Sequence, residues 1–464
     1  MNLPMSGRVV IVDDEFREAL PLIRTLSQRR VAVTFFRGRL EDLPSEPFKD
    51  VRIVFLDIVL EGLEGADDKT KISTLMNVVK KIISKENGPF VLAIWTKHPE
   101  LTEKLQNALK KEGFYTLTVN LEKDTFFEKK EGSDEWTFKE DKKDKLQRII
   151  EEKIRAIDIF KVFINWENLI HDASSMTINE ISKFSEFDDH WNDKMKRIFF
   201  SFAKAQAGRL IENMEDREKI TSALYTFNQI FSDIFEKNLQ LLKIEDVSLV
   251  NEDINSGTKG EINSRIILDI RETEEVYPGN VYKTEKDPKH LIYDSIDQYS
   301  LIPDFARLKD MDKLNILTKK NRIKKGFKQE FDSFFNKIRK RLKEISIPVV
   351  VEVSPVCDHT QKKIKKNRYI EGFLCPAIIK VEGTQIKLKD KLKRNALFLY
   401  ITPVIKYKKR QYILVLDFRY FGSSNKNDFL ENKDLLFRIR KELLSDIQIK
   451  LSSHINRTGV LYLE

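Results

Sequence analysis

Cysteine is scarce in this chain: its 464 residues include only two, Cys357 and Cys375. Two cysteines cannot form the disulfide framework of a small secreted domain, so they fit a reducing compartment better than an oxidising one. The sequence also lacks any apolar run near the roughly 20 residues of a membrane-spanning helix, and its N-terminus lacks the pattern of a signal peptide. We therefore expect a cytoplasmic protein with no membrane association.

Recognised nucleic-acid-binding motifs are missing as well. No helix-turn-helix, zinc-finger or RNA-recognition signature is present, so nothing favours sequence-specific nucleic-acid binding. The chain does contain ample hydrophobic residues, 41% of the total with 31 phenylalanines, and 33% charged residues that are interspersed along it. This composition and length favour two to four packed domains. The net charge of +9 permits an acidic partner but does not identify one.

Two apolar runs near the N-terminus end in carboxylates. Val9–Val12 is followed by Asp13 and Asp14, and Arg52–Leu56 is followed by Asp57. Each run has the length of one buried strand, and parallel strands end side by side at the edge of a sheet where sites form. Three carboxylates that lie close together repel one another. A hard divalent cation with oxygen ligands, usually Mg²⁺, relieves that repulsion.

Two further runs end in residues of complementary chemistry. Val91–Trp95 leads to Thr96, and Tyr115–Val119 leads through three residues to Lys123. A hydroxyl and an ammonium therefore point toward the edge that holds the acids. Phosphoryl transfer to a carboxylate needs such groups, because they neutralise the phosphoryl oxygens or donate hydrogen bonds to them.

The order and strand-end placement of these residues, with the opening letters VVIVDDE, resemble the receiver domain of bacterial response regulators. The resemblance covers residues 8–125, about a quarter of the chain. It implies an α/β fold with a doubly wound, five-stranded parallel sheet of flavodoxin-like topology. It also implies that Asp57 accepts a phosphoryl group, with a histidine kinase as partner, because receivers take this group from a phosphohistidine.

The resemblance assigns roles to the other residues too. Asp13, Asp14 and Asp57 match the acids that surround the metal in the family, so Mg²⁺ is the implied cofactor. Thr96 matches the switch hydroxyl and Lys123 matches the invariant lysine, and both would stabilise the phosphoryl group. A receiver implies no catalysis beyond its own phosphorylation and dephosphorylation.

Several positions depart from the family pattern. Lys97 follows Thr96 where a small residue is common, and Asp124 follows Lys123 where a proline is usual. Asn120 lies where an aromatic switch residue is expected. Two interpretations therefore stay open: an active phospho-acceptor, and a receiver that is retained as a docking module.

Beyond the receiver, the patterns predict three further regions. The four predicted domains are a receiver-like domain (1–140), a helical bundle (141–245), a connector with a basic helical segment (246–345) and a C-terminal α+β domain (346–464). A helical pattern that starts near Asp144 is expected to replace the last receiver helix and to continue into the bundle.

Periodicity supports the helical and α+β assignments. One apolar stripe with helical spacing is predicted to form bundle core: Ile220, Leu224, Phe227, Phe231 and Ile234. Four runs in the last domain read as strands: Pro348–Val353, Phe373–Cys375, Ala396–Ile401 and Tyr412–Leu416. A helix is predicted from Asp434 to Ser453, because apolar residues recur there at steps of four.

Lysine and arginine cluster in the second half of the chain. The residues that could contact nucleic acid or an acidic partner are Lys324, Lys325, Lys328, Lys340 and Arg341. Such clusters are typical of phosphate binding, and neighbouring aromatics such as Phe327, Phe331 and Phe334 could stack on bases. The same three phenylalanines have helical spacing, so a solvated helix with a Phe-rich core is the other interpretation.

Two functions fit the sequence. The first is a signalling protein whose receiver controls a C-terminal output region, similar in organisation to atypical receivers of bacterial conflict and phage-defence systems that accompany kinase-like ATPases. The alternative is an effector enzyme, such as a nuclease, that the receiver regulates. A nuclease centre could use Asp358 with Gln361 and Lys362, or Asp417 with Arg419.

Overall fold

The structure is a computed structural model that places the chain in two compact units. The first unit comprises Met1–Gln206 and Met214–Val250, and the second comprises Ala207–Asn213 and Asn251–Glu464. The division predicted from the sequence is finer than these two units. The structure describes residues 8–456 except 62, 64, 96–98, 130–134, 140, 141, 143, 144, 147, 150, 151, 153–157, 245, 246, 270–275, 319–322, 361–363, 426, 427 and 430–432.

A five-stranded, all-parallel sheet forms the centre of the first unit. Its strands lie in the order β2-β1-β3-β4-β5, which is the flavodoxin-like topology that the sequence predicted. The strands are β1 Arg8–Val12, β2 Val33–Phe36, β3 Val51–Asp57, β4 Phe90–Trp95 and β5 Thr116–Leu121.

Helices cover both faces of this sheet, and this explains why β3 and β4 are buried along their whole length. The helices that follow the strands are α1 Phe16–Gln28, α2 Asp68–Ile82 and α3 Pro99–Lys111. Residues alternate between the faces along each strand. Phe55 packs on the side of α1 with Leu22, whereas Leu56 packs on the side of α2 with Leu75.

A small aromatic hairpin follows the sheet. The helical turn α4 (Lys123–Phe126) leads into β6 (Phe127–Lys129), which pairs with β7 (Trp136–Phe138) in antiparallel orientation. The rings of Phe126 and Phe127 lie 6.1 Å and 5.4 Å from the ring of Trp95 at the end of β4. The hairpin therefore packs directly beneath the carboxyl edge of the sheet.

The long helix α5 (Asp158–Ser182) contributes to the core around the parallel sheet. Its residues Phe160 and Ile164 are buried in the same cluster as Ile11 and Phe55 of the sheet. On the next turn, Glu167 receives two hydrogen bonds from Arg52 of β3, one of them from Nε at 2.7 Å. The helix predicted to start near Asp144 falls mostly outside the described residues. Within the described part, α5 packs against the same face of the sheet as α1.

Two more helices extend the first unit: α6 (Trp191–Ala207) and α7 (Asp216–Leu241). The predicted helix over the apolar stripe is confirmed in α7, but its complete burial is wrong. Ile220 is 55% exposed and Leu224 is 46% exposed, whereas Ile234 is buried. Helices α5 and α6 cover only part of the stripe, so its first turns face solvent.

An eight-stranded antiparallel sheet dominates the second unit. The strands run in the order β14-β16-β11-β10-β9-β17-β8, and β15 pairs with β16. A separate hairpin consists of β12 Ile378–Val381 and β13 Thr384–Lys387. The sheet strands are β8 Leu268–Asp269, β9 Asn280–Lys283, β10 Ile347–Glu352, β11 Lys366–Pro376, β14 Leu399–Ile401, β15 Ile405–Tyr407, β16 Arg410–Asn425 and β17 Asp434–Ile439.

Helices α8 to α14 surround this sheet, and the segment predicted as a connector is part of the fold. Strand β9 lies between β10 and β17. The helix Lys325–Ile345 (α12) buries Phe331 and Phe334 in the core. Among the described residues, no helix has the combination of length and apolar content that would span a bilayer. The helices are α8 Ser256–Ile267, α9 Lys289–Ser295, α10 Ile302–Leu308, α11 Lys313–Ile316, α12 Lys325–Ile345, α13 Val356–Thr360 and α14 Lys441–Ile455.

The predicted helix from Asp434 to Ser453 is wrong over its first part. Residues Asp434–Ile439 form β17, and α14 begins only at Lys441. The spacing of Leu435 and Ile439 suits a helix, but the alternation of Leu435, Phe437 and Ile439 also suits a strand. Pairing with β9 and β8 decides in favour of the strand.

We predict that Glu167→Gln destabilises the first unit by about 2–3 kcal/mol. Breaking a fully buried ion pair costs about 3–5 kcal/mol, and the partial exposure of Glu167 lowers that figure. Denaturant unfolding followed by tryptophan fluorescence measures the effect, because all four tryptophans of the chain lie in this unit.

Glu180→Gln is the matched control, because Glu180 is exposed on the same helix. That substitution should change the free energy of unfolding by less than about 0.5 kcal/mol. Equal effects of the two substitutions would show that Arg52 does not hold α5 on the sheet.

Candidate functional site

Three carboxylates meet at the carboxyl edge of the parallel sheet. Asp13 and Asp14 follow β1, and Asp57 is the last residue of the adjacent strand β3. Asp13 is 1% exposed and Asp57 is 8% exposed, whereas Asp14 is half-buried. One ligand atom from each residue lies within 4.8 Å of the others. The three acids therefore lie together, as their positions after the strands predicted.

Lys123 brings a positive charge into this group of acids. It is the first residue of α4, directly beyond β5. Its Nζ lies 2.8 Å from Asp13 Oδ2 and 2.5 Å from Asp57 Oδ2. A third carboxylate, Glu18 of α1, places Oε2 at 2.9 Å from the same nitrogen. The sequence reasoning missed Glu18, although it lies one helical turn after Asp14.

Backbone amides fix the two buried carboxylates. The amide of Glu15 donates a hydrogen bond to Asp13 Oδ1 at 3.0 Å, and the amide of Val59 donates one to Asp57 Oδ1 at 3.0 Å. In both cases the donor lies two residues after the aspartate, which is the local geometry of an Asx turn. Each carboxylate thus presents one oxygen to its own loop and the other to Lys123.

Burial makes the acids reluctant to ionise together. Desolvation raises the pKa of Asp13 from its usual 3.8 to about 6, although Lys123 acts in the opposite direction. Desolvation also raises the pKa of Asp14, and the charge of Asp57 adds to that rise. Burial opposes the charge of Lys123 as well, but the carboxylates of Asp57 and Asp13 outweigh burial and raise its pKa.

This donor set suits a hard divalent cation. Carboxylate oxygens are the ligands that Mg²⁺ and Ca²⁺ prefer, and four acids around one ammonium leave excess negative charge. Among the residues that the structure describes, Asp13, Asp14 and Asp57 form the only group of at least three acidic, histidine or cysteine side chains close enough to share an ion. They could therefore hold a metal ion.

The predicted switch residue Thr96 lies outside the described residues, as does Lys97. The strand that precedes them is described, and Trp95 pairs in register with Asp57. Asn120, at the position where an aromatic residue was expected, is exposed and accepts a hydrogen bond from Thr102. The aromatic residues near the site lie instead below the edge, in the hairpin after Lys123.

The predicted basic residues belong to helix α12 of the second unit and to its N-cap. Lys325, Lys328 and Lys340 line one open groove of about 730 Å³ on this helix. Lys324 instead donates to the carbonyl of Asn315 at 2.8 Å, and Arg341 pairs with Glu344 at 3.3 Å. The structure brings three of the five residues to one surface.

Base stacking by the phenylalanines of α12 is contradicted. Phe331 and Phe334 are buried in the core of the second unit, and Phe327 packs partly against the same cluster. A Phe-rich core beneath a solvated basic face is therefore the correct interpretation of their spacing. Any contact with nucleic acid at this helix would depend on lysine and phosphate charges.

Two of the residues considered for a nuclease centre, Asp417 and Arg419, form an ion pair with each other. Asp417 is buried and accepts hydrogen bonds from Nε and Nη2 of Arg419. Arg419 also contacts Asp294 at 2.8 Å. Gln361 and Lys362 lie outside the described residues. Within the described part of the second unit, no three acidic, histidine or cysteine side chains lie close enough to share a metal ion.

Comparisons with known proteins leave the chain without a family assignment. No protein-family description matches it, and a search of curated proteins finds no match.

We predict that the affinity for Mg²⁺ decreases as the pH is lowered below about 6, because Asp13 then becomes protonated. The dissociation constant for Mg²⁺, measured by isothermal titration calorimetry on the full chain, should be roughly tenfold higher at pH 5 than at pH 7. The folded pKa of Asp13 lies above its unfolded value, so the metal-free protein also loses stability as pH rises from 3.8 to about 6. An affinity that stays constant down to pH 4.5 would contradict this assignment.

We predict that the basic face of α12 gives weak, sequence-independent binding to nucleic acid that falls steeply with salt. Replacing Lys325, Lys328 and Lys340 by Glu should weaken binding and reduce the salt slope by roughly one per lysine. Fluorescence anisotropy with two unrelated duplexes at several salt concentrations measures both quantities.

The control replaces Lys337 and Lys343 of the same helix by Glu. Lys337 lines the same groove, but it already pairs with Glu382, and Lys343 pairs with Asp287. These substitutions should have a smaller effect, since their charges are partly neutralised. Binding that survives high salt, or that selects one duplex, would disprove the prediction.

Proposed function

We propose that residues 1–140, which contain the parallel sheet of the first unit, form an atypical response-regulator receiver that accepts a phosphoryl group on Asp57 and controls the rest of the chain. One observation carries the proposal. Asp57 ends a buried strand with one oxygen held by a backbone amide and the other at 2.5 Å from Lys123. A carboxylate fixed in this way, beside two further acids and an ammonium, has the surroundings that a phospho-acceptor needs.

In the proposed reaction, a carboxylate oxygen of Asp57 attacks phosphorus and forms an acyl phosphate. The bond between phosphorus and the donor, a phosphohistidine nitrogen of a kinase, breaks, and that nitrogen keeps the electron pair. Lys123 neutralises charge on the phosphoryl oxygens, and Thr96 is expected to donate a hydrogen bond to one of them. Mg²⁺, held by Asp13, Asp14 and Asp57, would supply further charge neutralisation.

The attachment of α5 supports control over a larger region. Phe160 and Ile164 pack in the receiver core, and the same helix continues to Ser182, where it belongs to the helical part of the unit. A change in the receiver core would therefore move an element that extends well beyond it. We expect a cytoplasmic signalling protein with a histidine kinase or kinase-like ATPase as partner. Phage defence is the proposed setting, because the organisation of the chain is similar to that of receivers in such systems.

We predict that acetyl phosphate modifies Asp57 of the wild-type chain. Beryllium fluoride should occupy the same site in the presence of Mg²⁺. Asp57→Asn should abolish modification, because it removes the anionic nucleophile while keeping the size of the side chain. Asp42→Asn, the same change at an exposed position of the same unit, should leave modification intact. Intact-mass spectrometry and phosphate-affinity electrophoresis measure the acyl phosphate that acetyl phosphate forms.

The two interpretations of the receiver give different results. Equal labelling of wild type and Asp57→Asn would refute Asp57 as the acceptor. Complete absence of labelling, with intact Mg²⁺ binding, would favour a receiver that serves as a docking module.

A further inference from the structure

Lys123 makes more contacts with acids than phosphoryl transfer alone would explain. An ammonium has three N–H donors, and three carboxylates surround this one at hydrogen-bond distance, from Asp13, Asp57 and Glu18. Two of these partners belong to the group of acids that could hold a metal. Glu18 does not, and its side chain is 31% exposed at the first turn of α1.

The two kinds of partner differ in whether a bound divalent cation would compete with Lys123 for their carboxylate oxygens. Oxygens of Asp13 and Asp57 that neutralise a divalent cation attract the ammonium less, and two cations at one site repel each other. Glu18 keeps its full charge for Lys123 under those conditions. Its position is firm, because α1 is anchored to the sheet by buried Ala19 and Leu22.

We propose that Glu18 is a positioning residue that holds the Lys123 ammonium beside Asp57 when a divalent cation uses the other carboxylates. The proposal deepens the proposed function and rests on it, since Lys123 must stay in place to meet a phosphoryl group. Glu18 touches neither the acceptor nor the group transferred. It acts through Lys123 alone.

Glu15 provides a matched control for this role. It precedes α1 by one residue, is exposed, and carries the same charge as Glu18 near the site. Its side chain contributes to the electrostatic surroundings of Asp14, whereas Glu18 is the residue that pairs with Lys123. Glu15→Gln therefore removes a nearby negative charge and leaves the contact to Lys123 intact.

The test measures Mg²⁺ affinity of the full chain by isothermal titration calorimetry. Glu18→Gln should weaken Mg²⁺ binding at least about fivefold more than Glu15→Gln does, which is the size of one well-placed ion-pair coupling. In a Lys123→Met background the two substitutions should have equal effects. Circular dichroism and thermal unfolding establish that each variant is folded.

Equal effects of Glu15→Gln and Glu18→Gln in the wild-type background would overturn the proposal, because only general charge would then matter. A difference that persists with Lys123→Met would also overturn it. These outcomes are independent of phosphorylation. If the coupling is found but acetyl phosphate never modifies Asp57, the role of Glu18 toward Lys123 stands and the phospho-acceptor function fails.

Discussion

The ammonium of Lys123 is the group on which the candidate site depends. Burying Asp13 and Asp57 at the end of a parallel sheet places two negative charges where solvent cannot stabilise them. Lys123 compensates both, and with Glu18 it joins the ends of β1, β3 and β5 to α1. One positive charge cannot balance four acids. The site therefore keeps an excess of negative charge that could attract a cation.

The sequence predicted the parallel sheet and its acids because the relevant information is local. A buried strand is a short apolar run, and the residue that follows it must lie at the edge, so Asp13, Asp57 and Lys123 could be placed without tertiary contacts. Glu18 could not be placed in the same way, since the contact depends on the angle at which α1 leaves the sheet. The strand Asp434–Ile439 was missed because only its pairing with β9 excludes the helix.

Burial of whole helix faces was also beyond local reasoning. The apolar stripes of α7 and α12 look equivalent in sequence, yet Phe331 is buried while Ile220 is mostly exposed. The difference lies in what covers each helix. Helix α12 packs against the large antiparallel sheet of the second unit, whereas α7 packs mainly against α5. Spacing gives the direction of an apolar face, but the amount of surface available to cover it is a tertiary property.

The aromatic hairpin gives the proposed signalling a physical route within the first unit. Lys123 begins α4, and only two residues separate it from Phe126, which packs on Trp95 and shares a buried cluster with Phe160 of α5. A shift of Lys123 toward a phosphoryl group would pull on a segment too short to absorb the movement. Close-packed aromatic rings transmit such displacements because they leave no free volume. Under the proposed function, the rings of Phe126 and Phe127, which lie after the lysine instead of before it, would take the part of the aromatic residue that Asn120 replaces.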